Sequence, residues 1–206
     1  MTKIIFIVTR RVELIPKGFT EQEKLNINQT LIKNCKLNWQ KFGYKKTNID
    51  ELCKGSGISK GAFYLFFDTK EDLFLQTLKS VQINLYSKIE EILSETPNKY
   101  GVAKALKKIY RVYYESPFMY ETTSEDFISF FNKLSIQQQS ELNSLSYEGA
   151  KTMLRKPFLT LKISEDLALS VLSTTLLTIS LRDKMLSHSF DVFDFMVDHL
   201  IEKIFE

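Results

Sequence analysis

Gly57-Ile58-Ser59-Lys60-Gly61-Ala62-Phe63-Tyr64-Leu65-Phe66-Phe67 places four aromatics in five residues behind a small, basic lead-in. Ser59 is a helix N-cap residue type, so a short helix is expected at about 60–66. Its first turn carries Lys60, Gly61 and Ala62, of which the two small residues let a backbone come close to something. The aromatics behind them suit a scaffold that holds that turn in place. Upstream, Asn48-x-x-Glu51 is a capping arrangement that opens a helix at about 49–55, and Gly55-Ser56-Gly57 marks a tight turn. Two short helices joined by a Gly-containing turn have the form of a helix-turn-helix.

Working outward, Thr20 caps a helix over 20–42, with Glu21 and Glu23 in its first turn, where the helix dipole favours acid. Leu25, Leu31, Ile32, Cys35 and Trp39 recur at helical spacing, and Gly43 is placed to end the helix. Thr69-x-x-Asp72 opens a long helix over about 70–94. Beyond it, Pro97, Pro117 and Pro157 punctuate helical patterns. Helices are expected at roughly 99–115, 117–133 (with a break near Thr122–Ser124), 136–155, 164–186 and 190–205. The fold class is therefore all-α. With 7 Gly, 4 Pro and no run alternating between apolar and polar residues, a sheet has little to build on.

The 206 residues are 44% hydrophobic, enough for a substantial core. Net charge is +3, unevenly spread: residues 1–75 hold 13 Lys/Arg against 8 Asp/Glu, and residues 76–206 hold 15 against 17. The basic surplus lies with the helix-turn-helix, a weak sign of a polyanionic partner. Cys35 and Cys53 show no CxxC spacing, and His188 and His199 lack a third ligand at metal-site spacing. Neither the run Ile4–Val8 nor the uncharged run Leu167–Leu181 is long enough to span a bilayer. The chain is thus expected to be cytoplasmic, with no membrane partner, cofactor or metal.

The second helix of a helix-turn-helix meets the DNA major groove with its N-terminal end. Gly61 and Ala62 permit close approach, and Lys60 supplies a donor for a guanine edge or a phosphate. The stretch from about Lys24 to Leu75 resembles the DNA-binding domain of TetR/AcrR-type transcriptional regulators. The resemblance is carried by Trp39-x-x-Phe42-Gly43-Tyr44, Lys46-Thr47-Asn48-Ile49-Asp50-Glu51-Leu52, the opening stretch from Gly57 to Phe67, and Lys70-Glu71-Asp72-Leu73. It covers about a quarter of the chain. It implies that Lys60, Gly61, Ala62 and Tyr64 meet bases or adjacent backbone. It also implies that Thr47, Asn48, Tyr64, Thr69 and Lys70 hold phosphates. Leu65 and Phe66 stand where many members carry polar or imidazole side chains, so fewer polar groups are left to read bases. The Arg10-Arg11 pair is either a minor-groove arm or a solvated tail.

On this basis the chain divides into an N-terminal arm (1–19), a three-helix helix-turn-helix domain (20–75) and a helical ligand-binding and dimerisation domain (76–206). Residues 100–131 contain nine aromatics. Tyr110, Tyr113, Tyr114, Phe118, Phe127 and Phe131 are the candidate walls of a pocket for a lipophilic effector, or else an aromatic core. The apolar helices near the C-terminus point to an isologous homodimer, with Val171, Thr175, Ile179, Val192, Met196 and Leu200 at its interface. Two reader helices about 34–36 Å apart would then match a palindromic operator on double-stranded DNA.

An enzyme is disfavoured, because the sequence offers no nucleophile–base pair, metal cluster or phosphate loop. The expected function is a ligand-responsive homodimeric repressor. A DNA-binding regulator without an inducer, an activator, and a helical interaction module that binds no DNA remain open on the residues alone.

Overall fold

The structure is a computed structural model that describes residues 18–119, 121–184 and 188–206. The expected roles of Arg10, Arg11 and the run Ile4–Val8 fall outside these residues. Among the described residues the chain is helical: α1 (Glu21–Lys46), α2 (Ile49–Ser56), α3 (Lys60–Phe63), α4 (Lys70–Glu95), α5 (Lys99–Glu115), α6 (Glu125–Phe131), α7 (Ile136–Leu154), α8 (Glu165–Leu177) and α9 (Ser189–Ile204). Short 3₁₀ turns occupy Pro117–Met119 and Thr178–Lys184. No described helix is long and apolar enough to cross a membrane.

The start signals act as expected. Thr20 and Thr69 form capping boxes with Glu23 and Asp72, and the side chains of Asn48 and Ser59 accept from the backbones of Glu51 and Ala62. Some boundaries differ from the sequence reading. Helix α1 does not stop at 42; it kinks at Gly43 (φ 80°, ψ 172°) and continues to Lys46. The stretch expected over 117–133 does break near Thr122–Ser124: its first part is a 3₁₀ turn at Pro117–Met119, and α6 follows, capped by Ser124. Helix α8 gives way to 3₁₀ geometry after Leu177. There the Thr178 hydroxyl donates to the Thr175 carbonyl (2.7 Å) and Ser180 to that of Leu177 (2.8 Å), drawing the backbone into a tighter turn.

Two hydrophobic clusters lie along α4. The first gathers Leu31, Cys35 and Trp39 of α1, Leu52 and Cys53 of α2, Phe63 and Phe67 around α3, and Leu73 to Val81 of α4. It also takes in Phe118, Phe127, Phe130 and Leu134 from later in the chain. Trp39 stacks on Phe118 (centroids 4.3 Å apart) and packs against Phe74 and Phe130. The second cluster joins the distal half of α4 to α5, α8 and α9, with Tyr110 stacked on Phe193 at 3.8 Å. Helices α5 and α9 are also zipped by the ion pairs Lys99–Glu202, Lys107–Asp198 and Arg111–Asp194.

Candidate functional site

Helices α2 and α3 are joined through Gly57, whose left-handed backbone (φ 70°) closes α2 as only a residue without Cβ does freely. Phe63 and Phe67 are buried beneath the turn, and Phe66 packs on Phe19 at 5.8 Å. The α-helical part of α3 is shorter than expected. From Tyr64 onward, i→i+3 bonds (Leu65 N–H to Ala62 O, Phe66 N–H to Phe63 O) tighten the chain. This turns Tyr64 (48% exposed) and Leu65 (75% exposed) outward.

Lys60 is exposed and pairs with Asp50 across the turn at 3.2 Å. Gly61 is exposed, and a Cβ built there meets nothing nearer than the Ser59 hydroxyl at 3.9 Å. Nothing inside the protein therefore requires glycine at 61. Lys60, Gly61, Tyr64 and Leu65 are all exposed, with Ala62 half-buried among them and its N–H taken by Ser59.

Of the residues expected to hold phosphates, Asn48 and Thr69 are exposed caps at the starts of α2 and α4, where helix dipoles favour an anion. Two others face inward. Thr47 is 1% exposed, and its hydroxyl donates to the Gly43 carbonyl at 2.7 Å, so it closes the kinked end of α1 and is not available to DNA. The Lys70 ammonium donates to the Tyr44 carbonyl at 2.6 Å and sits 4.2 Å above the Tyr44 ring, where burial pulls its pKa down. Lys70 thus ties α4 to the end of α1.

Around that junction lies a latch that the sequence reading missed. The Asp126 carboxylate of α6 accepts from the backbone N–H groups of Tyr44 (2.6 Å) and Lys45 (2.9 Å). A Cβ at Gly43 would lie 2.8 Å from Asp126 Oδ1, so glycine is needed for this approach. Lys133 pairs with Glu71 at 3.3 Å, the Tyr44 hydroxyl donates to Glu71, and Gln138 donates to Asp72 at 3.2 Å. Residues of α6, α7 and the turn between them thus grip the start of α4 and the end of α1.

In the C-terminal half, a cavity of about 340 Å³ lies between α4, α5, α7 and α8. Its walls include Leu85, Tyr86, Ile89, Ile109, Tyr113, Met153, Leu169 and Leu172, with Gln82 and Ser173 as polar points. Of the six aromatics expected there, Tyr113 alone is in the wall, where burial pushes its pKa up to about 12. The other five belong elsewhere. Tyr110 is buried against Phe193, Tyr114 packs on Phe190 at 4.9 Å, and Phe118, Phe127 and Phe131 complete the aromatic packing around Trp39 and Phe130. The spacing Gln82–Tyr86–Glu90 on α4, a row with polar tips beside Leu85 and Ile89, was the sequence signal for this wall.

Residues 39–77 match the profile of the bacterial regulatory proteins of the tetR family. The chain carries a TetR-family helix-turn-helix. This TetR-family stretch is 42% identical over 72 residues to the uncharacterized HTH-type transcriptional regulator YuxN of Bacillus subtilis. The match spans 35% of this chain and about a quarter (23%) of that relative's length. Beyond the TetR-family domain, the likeness is one of fold. A TetR/AcrR-family regulator from Thermobifida fusca superposes with TM-score 0.62 at 17% identity, covering 84% of this chain and 95% of that one. The regulator FadR from Bacillus subtilis, solved in complex with stearoyl-CoA, superposes with TM-score 0.60 at 16% identity, covering 86% and 96%.

Proposed function

We propose that this chain is a DNA-binding transcriptional regulator acting in the cytoplasm, with α3 and the following turn as its reader. The observation that carries this is Gly61. It is exposed, with open space about it, beside Lys60 and Tyr64, although nothing inside the fold needs a glycine there. Such a gap serves the close approach of an external backbone. Lys60 supplies the donor to a guanine edge or phosphate, and Asn48 and Thr69 offer helix starts to phosphates. Leu65, which replaces a polar side chain at this place in the resemblance, offers apolar contact suited to thymine methyl groups.

The protein acts as a homodimeric repressor on a palindromic operator. Support for the dimer comes from apolar surface on α8 and α9. Leu167, Leu177, Val192 and Phe195 are exposed, with Val171, Thr175, Met196 and Leu200 half-buried in the same helices. Ile179 is 0% exposed and belongs to the subunit's own core, so it is left out of the interface. An apolar effector, of the acyl type that the FadR neighbour holds, would occupy the cavity beside Tyr113 and Tyr86. It would act only through a difference in affinity between two arrangements of α4.

The test is a fluorescence-anisotropy titration of the full chain against duplex from just upstream of its own gene, with scrambled duplex as control. Specific binding is expected to weaken with salt, with a log–log slope near −0.9 per phosphate neutralised. Lys60→Ala and Tyr64→Ala are both expected to weaken it. A chain that binds no duplex at low salt is not a regulator of this kind.

A further inference from the structure

A second concavity, of about 450 Å³, opens where α1 meets α4 and α5. Its rim carries Lys33 and Lys36 from α1, Lys88 from α4 and Lys108 from α5, against one carboxylate, Glu115. The formal surplus within this one groove is +3, as large as the net charge of the whole chain. Among the described residues, Lys33, Lys36 and Lys108 have no ion-pair partner, whereas Lys88 shares its ammonium with Glu91 at 2.7 Å. Elsewhere on the same helices Lys24 pairs with Glu21, Lys79 with Glu141, Lys99 with Glu202 and Lys107 with Asp198, whereas Lys41, Lys46 and Lys104 have no carboxylate partner among the described residues. Gathering uncompensated like charges around a hollow costs stability through mutual repulsion. Ser80 and Asn84 add neutral hydrogen-bonding groups to the lining.

The groove also lies away from the reader. Lys88 is 18 positions beyond Lys70 on an unbroken helix, roughly 27 Å along its axis. Leu85 lines this groove on one side and the apolar cavity on the other, and Val112 of the groove adjoins Tyr113 of the cavity.

We propose that this lysine groove is a binding site for a phosphate-bearing small molecule. Ammonium groups from three helices converge on its phosphates, so the ligand ties α1, in the helix-turn-helix unit, to α5 in the C-terminal half. The phosphates belong either to a free nucleotide-like compound or to the head of an amphiphile whose tail passes Leu85 into the cavity. The proposal builds on the acyl-effector reading only in its choice of probes.

The experiment is calorimetric titration of the full chain, without DNA, using coenzyme A, stearoyl-CoA and stearate at low salt. The variants are Lys36→Glu with Lys108→Glu, and Lys203→Glu as a single charge reversal on α9, away from the groove. Binding of coenzyme A itself, weakened about tenfold or more by the double reversal but not by Lys203→Glu, establishes the site and its free-phosphate source. Binding of stearoyl-CoA alone, lost in the same variant, establishes the amphiphile. If the double reversal does not fold, judged by its circular dichroism, Lys36→Ala and Lys108→Ala serve in its place. The proposal is overturned if neither coenzyme compound binds, or if stearoyl-CoA and stearate bind alike and regardless of the lysines. It is overturned too if the reversed groove binds coenzyme A as tightly as the unsubstituted chain does. Because no DNA is present in the titration, its failure would leave the operator reading untouched.

Discussion

Replacing Gly43 with alanine tests the latch between α6 and the helix-turn-helix. The backbone at 43 (φ 80°, ψ 172°) lies in a region essentially reserved for glycine, so a side chain there costs about 1–3 kcal/mol. The new Cβ would also lie 2.8 Å from Asp126 Oδ1, forcing the carboxylate away. Its two hydrogen bonds from Tyr44 and Lys45 are to a charged acceptor, each about 1.5–3 kcal/mol, although water recovers part at this half-exposed site. The sum is about 3–5 kcal/mol. For a chain of this length, that lowers the melting temperature by roughly 10 °C. Asp126→Asn keeps one acceptor oxygen and should cost only about 1–2 kcal/mol, or roughly 4 °C. The two effects share atoms, so Gly43→Ala should cost less in the Asp126→Asn background than in the wild type. Thermal unfolding followed by circular dichroism measures all four proteins. A Gly43→Ala chain that melts within about 2 °C of wild type would refute both the left-handed backbone and the latch.

Lys70→Met should lower the melting temperature while leaving the salt slope of duplex binding unchanged, because the ammonium is spent on the Tyr44 carbonyl and ring. A shallower slope would put Lys70 back on the phosphates. Burial raises the pKa of Glu71, but hydrogen bonds from Tyr44, its own backbone N–H and Lys133 outweigh that and hold it below 4.5. A depressed folded pKa adds stability that is present above the unfolded value and lost as pH falls through the folded one. Melting temperature should therefore drop below about pH 4.5, and Glu71→Gln should flatten that acid loss. Phe195→Asp should shift the chain toward monomer in light scattering coupled to gel filtration, since Phe195 is 66% exposed on α9; an unchanged mass would move the interface elsewhere.

Much of the fold could be read because its signals are local. Thr20, Asn48, Ser59 and Thr69 each sit one residue before an observed helix, and their side chains accept the bonds that their residue type promises. The reader turn was legible for the same reason: Lys60, Gly61 and Tyr64 owe their exposure to a turn three residues long. What could not be read depends on contacts distant in sequence. Thr47 and Lys70 look like free polar groups at helix ends until the kink at Gly43 brings the Gly43 and Tyr44 carbonyls beside them. The aromatics from Tyr110 to Phe131 resemble pocket walls until Trp39, 71 positions before Tyr110, is seen to need Phe118 and Phe130 as packing partners. Periodicity names the buried face of a helix; it does not name what that face is buried against.

Helix α4 runs 26 residues from Lys70 to Glu95 without a single Gly or Pro. It therefore has no internal hinge and behaves as a stiff rod about 39 Å long. Its start is gripped near the reader turn, and its far half walls both the cavity and the lysine groove. Tilting such a rod by about 5° displaces one end relative to the other by about 3 Å, close to the 3.4 Å rise of one base along a DNA strand. A rearrangement of one or two side chains around a ligand would thus be magnified into a shift of a whole reading position, with no need for any part of the helix to unfold.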